Sequence, residues 1–467
     1  MPLTARESRR RGRVVGLLWV AMFAALAQVR CMGDDPVIAP ALPSSDAGSE
    51  GAVESSVEPP APPPLGTIEQ LVAGKAFNCV LGSGGAVRCW GSNALGQLGQ
   101  DSPLPYRSDV SGTSTIRFGT DEKVIEIAAA YETACALFER GSIRCWGGNG
   151  AGERGSGDTL VKGRAPGDMA SLVPIDIGPD RSAVHIYAGT RHFCVITRNR
   201  GEVLCWGLGR DNAGRFGWLG NGRSDHIGDQ AGEMGSALTV VPLPEPTVEL
   251  ALGFSATCAR GQSGAVRCFG ASRAGQLGNG SIANDPALDI DDDVASGPVA
   301  LDSGAFALFG IGPAYAVKLT DGSTLTWGQN DKGRLGLGST VDVGTPTPLP
   351  APTEILNIAS RSAHRCAILL GGDLYCVGNG EFGRLGYGDV EDRGDTPATS
   401  LAAMTKPVLS KVRSVALGGD HTCALREDRS VVCWGRNNAG QLGYGDTTDR
   451  GAQAADRAET LPPIRID

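Results

Sequence analysis

The chain has 467 residues with a net charge of −9 and an isoelectric point of about 5.2, so it has no basic excess with which to bind nucleic-acid phosphates. Its 68 glycines are about 15% of all residues, roughly twice the usual ~7%, and they argue against a mainly helical protein because glycine weakens helix interiors. The 41% hydrophobic content supports a sizeable core, in several ordinary domains or in one large repeat domain.

The N-terminus has the pattern of an export signal. Five arginines between Arg6 and Arg13 precede an uncharged apolar run, Val14 to Ala27. The run is too short for a membrane span of ~20 residues but is typical of the hydrophobic region of a signal peptide. Ala25-Leu26-Ala27 has the A-x-A form of a cleavage site. We therefore predict that the chain is exported.

Cys31 lies just beyond this run and is followed by Asp34 and Asp35. The arrangement resembles a bacterial lipoprotein, whose cysteine is acylated, although Arg30 stands where lipoproteins have a small residue. Two alternatives stay open for the signal segment, residues 1–31. Lipidation of Cys31 would hold the chain at the outer membrane or cell surface, and this is the one membrane contact we expect. Cleavage after Ala27 would give a secreted or periplasmic protein.

Residues 32–66 are rich in proline, serine, alanine and acidic residues and have no hydrophobic periodicity. Such a segment cannot bury enough apolar surface to offset the entropy of ordering, so we predict a disordered tether. We expect a folded domain over residues 67–467.

One phrase recurs seven times in that domain, from LVAGKAFNCVLGSGGAVRCWGSNALGQLG at 71–99 to TCALREDRSVVCWGRNNAGQLG at 422–443. Successive copies lie 50–63 residues apart, and each contains short strands, a glycine-rich hairpin turn and a closing turn with one leucine. A repeat of this length fits a four-stranded blade, and seven blades fit a closed ring. We predict an all-β, seven-bladed β-propeller. The C-terminal segment, residues 460–466, is expected to supply a missing outer strand of blade one and close the ring.

Twelve of the 13 cysteines occupy two fixed positions of the repeat, ten or eleven residues apart on either side of the hairpin turn. These positions face each other on neighbouring strands, where a disulfide needs only a slight further approach. The fifth copy lacks both cysteines together and has Ala316 and Thr326 instead. Free core thiols and a zinc site are the alternatives, and zinc is disfavoured because the spacing is not that of zinc ligands. The predicted pairs are Cys79–Cys89, Cys135–Cys145, Cys194–Cys205, Cys258–Cys268, Cys366–Cys376 and Cys423–Cys433.

The phrases A-L-G-G-D-H-T-C-A-L (416–425) and W-G-R-N-N-A-G-Q-L-G (434–443) resemble the regulator of chromosome condensation repeat family. The resemblance covers residues 67–467 and implies a seven-bladed propeller. The name-giving member is a nuclear exchange factor for a small GTPase, whereas other members are secreted bacterial binding proteins. His192, His364 and His421 occupy the family's histidine position, where the other copies have Phe77, Thr133, Ala256 and Ala314. We interpret this position as structural.

The sequence contains no motif of a hydrolase nucleophile, a zinc protease or a phosphate-binding loop. We expect no catalytic residue, cofactor, metal or nucleic-acid partner. The acidic stretch Asp285–Asp293 lacks the order of an EF-hand and is interpreted as a solvated loop, with calcium as the alternative. We predict an exported, non-enzymatic protein-binding scaffold, with the long connectors 156–183 and 218–247 as the first place to look for a partner. A cytosolic exchange factor and an enzyme acting on surface polysaccharide are the alternatives.

Overall fold

The computed structural model describes residues 64–111, 113–210, 218–223, 225–282, 290–291, 297–310 and 312–466. These residues form seven antiparallel sheets of three or four strands, one for each copy of the repeat. The helical segments among them are 3-10 turns of three residues, and none has the length or hydrophobicity of a membrane span. The prediction of an all-β, seven-bladed propeller is confirmed.

The strands follow the chain blade by blade. Blade one contains β1 (Ile68–Ala73), β2 (Phe77–Gly82), β3 (Val87–Ser92) and β4 (Tyr106–Arg107), and blade two β5 (Val124–Ala129), β6 (Thr133–Phe138) and β7 (Ile143–Gly147). Blade three contains β8 (Ala183–Ala188), β9 (His192–Thr197) and β10 (Val203–Gly207), and blade four β11 (Thr247–Leu252), β12 (Ala256–Gly261), β13 (Val266–Ala271) and β14 (Ile290–Asp291). Blade five contains β15 (Ala305–Phe309), β16 (Ala314–Leu319), β17 (Thr324–Gly328) and β18 (Val343–Pro348). Blade six contains β19 (Ile355–Arg361), β20 (His364–Leu369) and β21 (Leu374–Gly378), and blade seven β22 (Val412–Leu417), β23 (His421–Arg426) and β24 (Val431–Gly435).

Each blade is a meander in which consecutive strands pair antiparallel. The first strands of the seven blades line a central channel. The hairpin turns between second and third strands lie on one side of the ring, which we call the turn face. The loops between first and second strands and those after the third strand lie on the other side, the loop face. The second strands are almost entirely buried because neighbouring blades cover both of their surfaces, as in β2 and β6.

A tryptophan on the third strand connects each of five blades to the blade before it. Its indole N–H donates to a main-chain carbonyl in the closing turn of the preceding repeat, and all five indoles are fully buried. The leucines of the closing turns, such as Leu98 and Leu442, are buried beside them. The repeated phrase therefore encodes an interface between blades as well as a blade. The donor–acceptor pairs are Trp90 with Gln441, Trp146 with Gln97, Trp206 with Glu153, Trp327 with Gln276 and Trp434 with Arg384, at 2.9–3.0 Å.

The ring closes by the same contact. The carbonyl of Gln441, in blade seven, accepts hydrogen bonds from Trp90 Nε1 at 3.0 Å and from Asn78 Nδ2 at 2.7 Å in blade one. The main chain adds a bond from the N–H of Gly445 to the carbonyl of Ser108. Blades seven and one thus meet as the other blades do.

The predicted placement of the C-terminal segment in blade one is wrong. Ile464 N–H donates to the carbonyl of Val431 on β24, so the segment lies along the outer edge of blade seven. Blade one takes its outer segment from its own repeat, since β4 pairs with β3 and Ile116 N–H bonds to the carbonyl of Val87. Each outer segment follows its own third strand, and the last copy therefore needs the C-terminus.

Among the described residues, a fourth strand forms in blades one, four and five. In the other four blades the outer segment pairs through an isolated bridge, such as Gly435 with Arg450. The glycine that follows the third-strand tryptophan has a left-handed conformation, with φ of 103° at Gly435, the last residue of β24. A Cβ there would lie 2.5 Å from the carbonyl oxygen of Asp420, so this bend requires glycine.

Candidate functional site: the cross-blade contacts, the loop face and the central channel

The twelve repeat cysteines form six disulfides, each within one blade. The two cysteines of each pair stand directly opposite each other on the second and third strands, with Cα atoms 4.0–4.1 Å apart. The sulfur atoms are buried between blades, as for Cys194 and Cys205. The pairs are those that the spacing predicts: Cys79–Cys89, Cys135–Cys145, Cys194–Cys205, Cys258–Cys268, Cys366–Cys376 and Cys423–Cys433.

Blade five has a polar contact at the position of the missing disulfide. Ala316 and Thr326 stand opposite each other in the same register. Thr326 Oγ1 accepts a 2.6 Å hydrogen bond from Nη1 of Arg365, which comes from blade six and is fully buried. Arg365 also donates to the Ser360 hydroxyl at 2.7 Å. The repeat pattern does not by itself indicate this contact, although the one copy with threonine at the second cysteine position is followed by the one copy with arginine after the histidine.

The three repeat histidines are buried and connect neighbouring blades. Nε2 of His192 lies 3.1 Å from Thr257 Oγ1, that of His364 lies 2.9 Å from Thr422 Oγ1, and that of His421 lies 2.9 Å from Asn78 Oδ1. Their exposed fractions are 0%, 1% and 0%.

Burial lowers the pKa of the His192 imidazole to about 4. Burial, with the nearby Arg361 guanidinium, lowers that of His421 to about 3. These rings are therefore neutral at pH 7 and out of contact with solvent, which favours the structural interpretation over a catalytic one.

The predicted connectors divide into a packed part and an exposed part. Within 156–183, Met169 and Leu172 pack in the core between blades one and two, and Ile175 packs in the core between blades two and three. Within the described part of 218–247, Ile227 and Leu238 do the same. Exposed apolar side chains remain at the tip of the first connector, on the loop face.

That tip forms an apolar patch on the loop face. Leu160 is 64% exposed and Val161 39% exposed, and Leu104 of blade one is 47% exposed. Arg164 Nη2 donates to the Pro103 carbonyl at 3.4 Å, so the two loops touch. We call Leu104, Leu160 and Val161 the loop-face patch.

A groove of about 190 Å³ lies beside the patch, between blades two and three. Its walls include Leu95, Tyr131 and Val161. Glu153 and Arg191 also line it and form an ion pair at 2.8 Å. An exposed apolar patch beside a groove with a polar wall is typical of protein interaction sites.

The central channel encloses a cavity of about 370 Å³ lined by residues from all seven first strands. Two carboxylates face it, and both have partners. Glu126 lies 3.1 Å from Nδ1 of His185, and this contact raises the pKa of that imidazole. Glu249 accepts hydrogen bonds from Nε of Arg260 at 2.8 Å and from the N–H of Leu308 at 2.9 Å.

The second residue of every first strand is displaced by a β-bulge and lies at the turn-face mouth of the channel. Five consecutive blades have an apolar side chain there, which we call the collar. Phe306 is 65% exposed and Ile125 is 44% exposed. The collar residues are Ile125, Val184, Val248, Phe306 and Leu356, and Arg413 and Glu69 complete the circle.

Two sequence predictions lie outside the described residues. One is the export segment with Cys31. The other is the acidic stretch Asp285–Asp293, of which only the backbone of residues 290–291 is described, where it pairs with β13. Among the described residues, no group of three or more metal-ligating side chains comes together.

Family models place this arrangement of blades among known proteins. The model of the regulator of chromosome condensation (RCC1) repeat matches residues 68–97, 183–213, 321–368, 371–425 and 412–441. The chain contains RCC1 repeats.

Similarity to individual RCC1-repeat proteins extends over most of the chain. The chain is 26% identical to the ultraviolet-B receptor UVR8 of Arabidopsis thaliana over 70% of its own length and 68% of that protein. It is 26% identical to the mouse regulator of chromosome condensation over 86% of this chain and 93% of that protein. It matches only 7% of the length of the mouse ubiquitin ligase HERC2, at 27% identity.

Solved structures show the same fold. Yeast RCC1 (Prp20), solved bound to Kap60, superimposes with a TM-score of 0.64 over 85% of both chains at 20% sequence identity. Human WBSCR16 does so with a TM-score of 0.59 over 81% of this chain and 95% of that chain, at 18% identity.

Proposed function

We propose that this RCC1-repeat protein is an exported, non-enzymatic scaffold of a bacterium that binds a protein partner on its loop face. The observation that carries the proposal is the loop-face patch with its adjoining groove. Apolar side chains exposed on a rigid ring can bury against a partner with little loss of conformational entropy. The relatives support a binding role, since yeast RCC1 has been solved in complex with Kap60.

The export part of the proposal rests on the N-terminal pattern and on the disulfides. Disulfides persist in oxidising compartments and are rare in the cytosol, where thiols are kept reduced. Six pairs in one domain therefore favour the periplasm, the cell surface or the medium. Export with cleavage after Ala27 and export with lipidation of Cys31 differ in the N-terminal residue of the mature chain, which N-terminal mass spectrometry reads directly.

An exchange factor for a small GTPase is the second candidate. The observation in its favour is the similarity to the mouse regulator of chromosome condensation over 86% of this chain. A cytosolic location would be required for that activity. Recovery of the protein from the cytosol, together with acceleration of nucleotide release from a GTPase, would support it against the export proposal.

A test of the loop face uses purified full-length protein as bait in an envelope extract. We expect a protein captured by the wild type to be lost with Leu160→Asp, which places a charge in the patch. Val173→Asp is the matched control, because Val173 is 72% exposed on the same connector near the turn-face end of blade two. Equal capture by both variants and the wild type would contradict binding at this patch.

A further inference from the structure

The centre of the turn face carries one residue from each blade at the same position of the first strand. The collar supplies the apolar members, from blade two to blade six, and Phe306 is the most exposed of them. Glu69 in blade one and Arg413 in blade seven take the two remaining positions. They occupy adjacent blades, because blade seven meets blade one. All seven lie beside the hairpin turns, since the residue before each of them pairs with the last residue of the second strand.

These side chains are exposed at the surface and the two charged ones are unpaired. Apolar side chains gathered on a surface gain free energy when a partner removes them from water. Glu69 and Arg413 are exposed, and within the described part of the chain neither side chain has a hydrogen bond or an ion pair. Both charges are therefore available to a partner that covers the collar.

We propose that a second copy of this chain covers the collar, with the two rings docked turn face to turn face. Such a dimer has a two-fold axis that lies in the interface, and we place this axis along the radius through blade four. A face-to-face contact reverses the order of the blades. Blade one of each copy then meets blade seven of the other, blade two meets blade six, blade three meets blade five, and blade four meets its counterpart.

The order of residues around the turn face is self-complementary in this register. In each of the six other registers, Glu69 faces either an apolar side chain or its own counterpart. Burial of a charge against apolar groups or against a like charge is unfavourable, so the charges select one register. The matched pairs across the interface are Glu69 with Arg413, Ile125 with Leu356, Val184 with Phe306, and Val248 with Val248.

The hairpin turns around the collar have charges that fit the same register. The hairpin of blade three bears Arg198 and Arg200, which are both exposed. The hairpin of blade five bears the exposed Asp321, whose carboxylate accepts hydrogen bonds only from Ser323 among the described residues. The proposed axis brings these two hairpins together. Opposite charges therefore meet at the edge of the interface as well as at its centre.

Sedimentation velocity of the full-length protein at about 1–100 μM tests for the dimer. We expect the wild type to associate, and Phe306→Asp to raise the dissociation constant at least about tenfold, because it places a charge in the apolar part of the interface. Val341→Asp is the matched control, since Val341 is 70% exposed in the same blade but lies in the loop after the third strand, on the loop face. A monomeric wild type, or equal weakening by the two variants, would overturn the proposal.

A pair of charge reversals tests whether the contact is between copies. Glu69→Arg alone and Arg413→Glu alone each place like charges opposite each other twice in the dimer, so we expect both variants to be monomeric. An equimolar mixture of the two is expected to form a heterodimer, because each introduced charge then meets its opposite in the other chain. A mixture that associates no more strongly than either variant alone would contradict the pairing of Glu69 with Arg413.

Cross-linking tests the position of the axis. Val248→Cys is expected to form a disulfide-linked dimer on oxidation, because the two copies of this residue lie against each other on the axis. Val184→Cys is the control, since its counterpart lies two blades away in the proposed register. Linkage of Val184→Cys, or none of Val248→Cys, would overturn the register. None of these outcomes bears on the loop-face patch, which lies on the opposite side of the ring.

Discussion

The buried histidines make the stability of the ring depend on pH. Their pKa values are lowered in the folded protein, to about 4 for His192 and about 3 for His421, so the unfolded chain binds protons more readily below pH ~6.5. The stabilising effect is complete above pH ~6.5 and is lost as the pH falls towards the folded-state values. His185 behaves oppositely, because its contact with Glu126 raises its pKa and stabilises the fold at low pH.

We therefore expect His421→Gln to flatten the loss of stability between pH 7 and pH 4. The glutamine amide replaces the hydrogen bond to Asn78 without binding a proton. His185→Gln is the control, and it should steepen the loss over the same range. Melting temperatures in matched-ionic-strength buffers measure both effects, and parallel curves for the two variants would contradict the assignment of His421 as a buried neutral group.

The side chain of Thr326 is also expected to stabilise the fold, because it accepts a hydrogen bond from the buried Arg365 guanidinium. Thr326→Val removes the acceptor of the buried Arg365 guanidinium and should lower the free energy of unfolding by about 1–3 kcal/mol. Thr324→Val, two residues earlier on β17 and also buried, is the control and should have a smaller effect. Urea denaturation of the two variants measures the difference. Equal losses would show that the cross-blade hydrogen bond is not what stabilises this position.

The strands and hairpins were largely predictable from sequence, and contacts between blades were not. The hairpin turn places Cys79 opposite Cys89 by local geometry alone, because side chains alternate along paired strands. The Arg361 contact with Ala73 joins residues 288 positions apart, and no local pattern encodes it. The sequence does not place the outer strand in its correct blade, because an extended proline-containing segment does not itself indicate which edge it will pair with.

The C-terminal segment contributes to stability as the outer part of blade seven. Ile464 is 6% exposed and packs with Leu65 and Ile68 of blade one, and Ala458 is fully buried between blades six and seven. Deletion of residues 458–467 is expected to lower the free energy of unfolding by at least about 2–5 kcal/mol, the range for loss of one large buried side chain.

Two single variants separate the contribution of the core contact from that of chain length. Ile464→Ala should reproduce much of the deletion, whereas Arg465→Ala, at an exposed neighbour, should leave the melting temperature unchanged. An unaltered melting curve for the deletion would contradict the packing at this junction.

At the scale of the whole molecule, seven imperfect repeats form one ring with two differently constructed sides. Tryptophan–carbonyl contacts connect successive blades, and the Gln441–Trp90 contact joins the last blade to the first. The loop face bears the patch on which we place a protein partner, and the turn face bears the collar of exposed apolar side chains such as Phe306 and Ile125.

Export of a disulfide-linked ring is the central claim about the molecule, and one measurement tests it most directly. Cells producing the full-length chain are treated with an alkylating reagent before lysis, then fractionated, and the intact mass of the chain is measured without reduction. We predict recovery from the envelope or the medium with none of the twelve repeat cysteines alkylated. Recovery from the cytosol with all twelve alkylated would contradict the account.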